Sequence, residues 1–140
     1  MRWLWLPLLG LVAFSTVSAV VAGSYWVAVL YAVVGGGLCY WLSPFQGGRS
    51  VTHADVAAMP ELDVPVVVYW RPGCPYCARL RTALGGRASR AQWVNIWQDP
   101  DAAAYVRSVN DGNETVPTVV IDGVANTNPD PGLVRERLAA

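Results

Sequence analysis

Cys74-Pro75-Tyr76-Cys77 is the stretch of this chain whose residue types and spacing can do covalent chemistry. Two thiols three residues apart lie on one face of a helix, within reach of closing a disulfide. Their position decides which thiol attacks. The β-branched run Val66-Val67-Val68 reads as a buried parallel strand, and Arg71-Pro72-Gly73 breaks it. Ala78, Leu80 and Leu84 then continue as a helix, so Cys74 falls where a strand hands over to a helix. Unpaired backbone N–H groups and the positive end of the helix dipole favour a thiolate there. Pro75 suits the first turn, where its missing N–H would have had no partner. A redox dithiol is therefore expected, with Cys74 as the exposed nucleophile and Cys77 as the less exposed resolving thiol.

The same spacing serves as half of a zinc site, but such sites need two further Cys or His ligands. Cys39 sits in an apolar run and His53 in a Pro/Gly-rich stretch, and neither forms a second paired knuckle. No metal or bound cofactor is expected, and His53 reads as a solvated linker residue.

The elements that must position the thiols follow in order. Val66–Trp70 is a strand, with Tyr69 and Trp70 packing, and 75–85 is a helix closed by Gly85-Gly86. Trp93–Trp97 alternates as a second strand. Asp99-Pro100-Asp101 opens a helix with a cap, a proline at the first helical position and an acid in the first turn. That helix should turn Ala103, Val106 and Val109 inward and stop around Asn110-Asp111-Gly112. Thr118–Ile121 is a third strand, Asp122-Gly123 a hairpin turn, Val124-Ala125 a short fourth strand, and 131–139 a final helix. The order βαβαββα makes an α/β fold with helices on both faces of a four-stranded mixed sheet.

Charge divides the 140-residue chain. Between Trp3 and Gly48 there is no charged residue, while all ten acids and nine of the ten basic residues lie from Arg49 onward. Residues 3–22 and 25–42 are each apolar and about long enough to cross a bilayer, joined at Gly23-Ser24. They are expected to form a transmembrane helical hairpin (domain 1–42). Small residues repeat along both, Ser15, Ala19, Gly23 and Ala28, Ala32, Gly36, as close helix packing in lipid requires. Trp3, Trp5, Tyr25, Trp26, Tyr40 and Trp41 fall near the span ends. The alternative for the first span is a signal peptide cleaved near Ala19 or Ala22. Arg2 and Arg49 flank the outer ends, so either reading places the C-terminal part in the cytoplasm.

Residues 43–64 read as a linker with a short helix capped by Thr52, and 65–140 as the redox domain. That part is near neutral and shows no basic field for nucleic acid. Three cysteines, two of them in one motif, do not build a disulfide scaffold, which fits a reducing compartment.

With Cys-Pro-Tyr-Cys after the first strand and Thr115-Val116-Pro117 before the third, residues 64–140 resemble the thioredoxin fold and, within it, the glutaredoxins. They are most similar to the mycoredoxins, through Asn95-Ile96, Asp101 to Ala104, Val109-Asn110, Gly112 to Val119 and Thr127-Asn128-Pro129. The resemblance implies a thiol-disulfide oxidoreductase acting on mixed disulfides between proteins and a low-molecular-weight thiol, mycothiol or glutathione, as cosubstrate. It implies that Pro117 follows a cis peptide bond and that Val116 pairs with the substrate main chain beside Cys74. It also makes Arg71, in the place of a common lysine, Tyr76 and Thr115 candidates for binding that thiol. The Gly-Gly pair that many glutaredoxins carry before the last helix is replaced here by Asn126 to Asp130, which argues against glutathione. A dithiol reductase fed by a thioredoxin reductase, and a membrane-tethered iron–sulfur or metal-binding module, are the competing implications. Protein mixed disulfides, membrane proteins among them, are the expected macromolecular partners.

Overall fold

The structure is a computed structural model and describes residues 3–59 and 66–139. Arg2, Pro60 and Pro65, which entered the reading of the flanks and the linker, lie outside the described residues. The chain divides into two compact units, 1–48 and 49–140.

In the first unit, α1 (Trp5–Val21) is 17 residues of apolar sequence. It ends at Gly23, whose φ of +74° suits glycine. The Gly23 N–H bonds to Val20 O and the Ser24 N–H to Ala19 O, the paired bonds of a Schellman stop. The second helix, α2 (Tyr25–Leu42), runs 18 residues, and its middle turn, Tyr31–Gly35, is π-helical. Among the described helices α2 is long and apolar enough to cross a bilayer; α1 is shorter. The two meet along one seam, where Ala19, Ala28 and Cys39 are buried. A Cβ on Gly35 would come within 2.6 Å of a Val12 methyl, so close approach needs glycine there. The expected stripe through Ala32 and Gly36 is corrected: Ala32 is exposed and nothing lies within 4 Å of a Cβ on Gly36. Each step of four residues drifts around a helix by about 40°, so steps of seven and four, Ala28 to Gly35 to Cys39, hold the face better.

In the second unit the sheet order is β2-β1-β3-β4, with β1 (Val66–Trp70), β2 (Gln92–Asn95), β3 (Thr118–Ile121) and β4 (Val124–Thr127). The β1–β2 pair is parallel and the pairs β1–β3 and β3–β4 are antiparallel. All five β1 residues are buried, as a central strand covered on both faces must be. On one face Val66, Val68 and Val119 meet Leu80 and Leu84 of α4 (Pro75–Leu84) and Val134 of α6 (Pro131–Arg137). On the other, Val67, Tyr69 and Val94 meet Ala102, Ala103 and Val106 of α5 (Pro100–Ser108). Each fully buried aliphatic side chain is worth about 1.5–3 kcal/mol, and these two layers supply the core.

Local departures have local causes. The second strand stops at Asn95, not Trp97, because the Asn95 Oδ1 accepts the Trp97 N–H at 2.9 Å and turns the chain. After α4 the chain continues as a 3₁₀ turn, Gly85–Arg90. Val109 lies just past the end of α5 and is partly exposed, not turned inward.

Residues 49–59, read as linker, pack with the sheet. A short helix, α3 (His53–Ala57), carries the expected Thr52 cap, completed by Asp55 as a capping box. The Ser50 hydroxyl donates to Trp93 O at 2.9 Å and accepts the Asn95 N–H at 2.8 Å along the outer edge of β2. His53 is not a solvated residue. Its Nδ1 lies 2.7 Å from the Tyr69 hydroxyl, its ring stacks on Tyr105 at 4.9 Å, and its N–H donates to Asp99 Oδ2 at 2.6 Å. The other Asp99 oxygen caps α5 through the N–H groups of Asp101 and Ala102.

A fragment of residues 49–140 should therefore unfold at a clearly higher temperature than one of residues 62–140. The shorter piece leaves Asp99 Oδ2, the Tyr69 hydroxyl and the β2 edge without partners, each worth about 1–3 kcal/mol where buried. Equal melting temperatures of the two fragments by circular dichroism would show that the strap adds nothing.

Candidate active site

The site is assembled from two segments far apart in sequence. The first is the turn from β1 into α4. Pro72 is fully buried and Gly73 has φ +70°, so the chain reverses tightly and delivers Cys74 to the helix start. Cys74 is the N-cap residue of α4, and its sulfur accepts the Cys77 N–H at 3.3 Å. A sulfur thus occupies the place that Ser, Asp or Asn oxygens take at other helix starts, a position that rewards negative charge. Pro75 follows at the first helical position, as expected.

The second segment is the loop before β3. The Val116–Pro117 peptide bond is cis. The Cys74 thiol donates to the Val116 carbonyl at 3.5 Å, across a separation of 42 residues. Val116 and Pro117 are buried, whereas Thr115 is exposed and its carbonyl accepts the Thr118 hydroxyl at 2.7 Å. The expectation of an exposed Cys74 is corrected: it keeps 8% of its surface against 3% for Cys77, because the Val116 carbonyl stands over its sulfur.

The Cys77 thiol is perturbed by its surroundings. Burial, then the contact with the Cys74 sulfur, pushes the Cys77 thiol far above the ordinary range. The Arg71 backbone and charge act the other way without offsetting that burial. Arg71, partly buried, thereby acts on the dithiol from the turn ahead of it. Both cysteines are free thiols here.

Tyr76 stands between the two cysteines in the first turn of α4. It is 56% exposed and, with Arg79 and Leu80, faces Asn128, Pro129 and Asp130 across a cleft of about 190 Å³. Asn128 takes φ +45° and its N–H bonds to Pro117 O at 2.8 Å, so the cleft is tied to the cis-proline loop.

A buried polar cluster behind that loop was not singled out for any role in the sequence. Asn110 Nδ2 donates to Val106 O at 2.7 Å and to the Thr118 hydroxyl at 3.0 Å, and Thr127 Oγ1 bonds to Asn110 Oδ1. One side chain thus joins the end of α5 to β3 and β4, fixing the loop that carries Val116. An asparagine just past a helix signals a stop, and nothing local announces that its amide bridges two strands. Among the described residues no three His, Cys, Asp or Glu side chains gather as a metal site.

Residues 66–125 match the glutaredoxin family model. A protein of Mycobacterium tuberculosis named as a glutaredoxin is 42% identical over 74 residues, covering 52% of this chain and 88% of that protein. The chain belongs to the glutaredoxin family. Mycoredoxin 1 of Corynebacterium glutamicum is 43% identical over 65 residues, 46% of this chain and 80% of its own length. The protein is a glutaredoxin-type thiol-disulfide oxidoreductase, and its mixed four-stranded sheet with flanking helices is the thioredoxin fold.

The raised thiol has a consequence for stability. The folded glutaredoxin unit keeps protons on Cys77 and on Tyr69, which burial also raises, where the unfolded chain loses them above its ordinary values of 9.0 and 10.0. The unfolded state then binds fewer protons, so stability falls as pH rises above about 9 and is unaffected by these groups below it. Melting of the reduced protein should drop more steeply between about pH 9 and about pH 10.5 than that of the oxidised protein, in which the disulfide removes the Cys77 proton. Parallel curves for the two forms would contradict a raised Cys77.

Proposed function

We propose that the protein is a membrane-anchored reductase of mixed disulfides between proteins and a low-molecular-weight thiol, mycothiol, acting through Cys74 and Cys77. The observation that carries this reading is the Cys74 sulfur held at the start of α4 beside the Val116 carbonyl. In the first step the Cys74 thiolate attacks the small-thiol sulfur of the mixed disulfide; a Cys74–small-thiol disulfide forms and the protein thiolate leaves. A second small thiol then attacks that adduct, releasing the oxidised small-thiol dimer and restoring Cys74. Alternatively the Cys77 thiolate attacks the Cys74 sulfur of the adduct, closing an internal disulfide, and the small thiol leaves as a thiolate that takes up the proton Cys77 gave up. Reduction of an intramolecular protein disulfide has to use the second route.

Placement supports the binding roles. Val116 offers main-chain polar groups for strand-like pairing with the substrate, with Pro117 and Thr115 setting that edge. Arg71 supplies positive charge beside the dithiol, and Tyr76 walls the neighbouring cleft with Asn128 and Asp130, which would receive the body of the cosubstrate. Support for mycothiol over glutathione comes from the Asn126 to Asp130 segment and from likeness to a protein named mycoredoxin. The helical hairpin 1–42, with α2 apolar and long enough to span, supports the anchor. The charges flanking it favour Cys74 on the cytoplasmic side.

Turnover of one mixed-disulfide substrate with mycothiol, glutathione or thioredoxin reductase as donor tests the assignment, and mycothiol should be fastest. A preference for thioredoxin reductase would move the protein to the dithiol reductases. Cys74→Ser should abolish turnover. Cys77→Ser should keep most mixed-disulfide reduction and lose reduction of intramolecular disulfides, and equal loss in both variants would contradict the one-thiol route. In intact cells carrying Cys39→Ser, a membrane-impermeant thiol reagent should label Cys74 only after permeabilisation; prompt labelling would place the site outside.

A further inference from the structure

The second unit is near neutral in sum but divided in space. The elements on one face of the sheet, α4, the 3₁₀ turn and α6 with its cap, carry Arg79, Arg81, Arg87, Arg90, Arg135 and Arg137 against two acids, Asp130 and Glu136. On the opposite face, α3 and α5 with its cap carry Asp55, Asp99 and Asp101 against Arg107. Three of the six basic-face arginines are committed within the fold. Arg137 is paired with Asp122, Arg81 lies over the Trp93 ring at 4.9 Å, and Arg90 holds Leu138 O at 3.0 Å. Arg79 faces the active-site cleft. Arg87 and Arg135 are exposed, pair with no acid among the described residues, and border one open cleft of about 540 Å³ with Gly132 and Glu136.

We propose that this face docks on anionic phospholipid headgroups, with Arg87 and Arg135 receiving the phosphates. Guanidinium forks match phosphate oxygens in pairs, which ammonium groups do not. The proposal rests on the membrane-anchor reading, and chain length supports it: only residues 43–48 separate Leu42 from Arg49, at most about 20 Å of extended chain. That reach is two to three Debye lengths of about 8 Å, so the unit can enter the layer in which an anionic leaflet attracts cations. Docked by this face, the protein would favour membrane proteins with disulfides near the bilayer surface.

The test is the rate at which arginines of the full chain are modified by phenylglyoxal. The chain is placed in nanodiscs of phosphatidylcholine alone or mixed with phosphatidylglycerol, and each site is read by mass spectrometry. Arg87 and Arg135 should be modified about tenfold more slowly in the anionic discs, an advantage lost at high salt, while Arg107 on the acidic face serves as the unchanged reference. In an R87Q/R135Q variant, with its turnover of a soluble mixed disulfide intact, Arg90 should lose any protection. Equal rates in both lipids at Arg87 and Arg135 would overturn the proposal and leave the face to an acidic protein. If the chain does not enter the discs, the anchor reading fails by itself. The same chain is then floated with vesicles of the two compositions; flotation with the anionic vesicles alone supports the docking face, and flotation with neither overturns it.

Discussion

The functional geometry depends on one substitution of atoms: a sulfur stands where a helix start ordinarily recruits an oxygen. Because the Cys74 Sγ accepts the Cys77 N–H, the cap, the nucleophile and the spacing of the dithiol are one feature. The helix can begin only where Cys74 sits, and Cys77 is necessarily one turn inside it, where burial holds it as a thiol. A family built on this arrangement does not need a separate general base to make its two cysteines unequal. The fold does so by placing one at the end of the backbone ladder and the other within it.

Everything else steadies the two ends of that contact. The first end is fixed by β1, which is central in the sheet and buried along its whole length. The second is fixed by the cis-proline loop, held from behind by Asn110, Thr118 and Thr127 and from the side by the Asn128 N–H. Asn110 and Thr118 are buried and partnered, with Thr127 closing the cluster at the surface, and networks of that kind specify one arrangement where apolar packing would tolerate several. Positioning thus comes from side chains remote in sequence from the cysteines.

That division explains what could be read from the chain before its structure. The strand, the turn and the cap around Cys74 are local signals, and Pro75, Pro100 and Asp99 mark their helix starts without ambiguity. The cis bond at Pro117 and the pairing role of Val116 entered only through family resemblance, since a trans proline opening a strand fits the same letters. Residues 49–59 were misread for a different reason. Their Pro/Gly-rich surroundings and lone histidine look like linker, and their partners, Tyr69, Asp99 and the β2 edge, lie up to 46 positions away. Ordered segments without periodicity are invisible until those partners are placed. The π-helical turn in α2 and the register that selects Gly35 over Gly36 belong to the same class.

The Ser50 contact has one more consequence. β2 is an outer strand, and an outer strand offers unused N–H and C=O groups to any other chain that can lie alongside it. By spending its hydroxyl on Trp93 O and the Asn95 N–H, Ser50 closes part of that edge to intermolecular strand addition. Ser50 thereby helps guard the sheet against edge-to-edge aggregation.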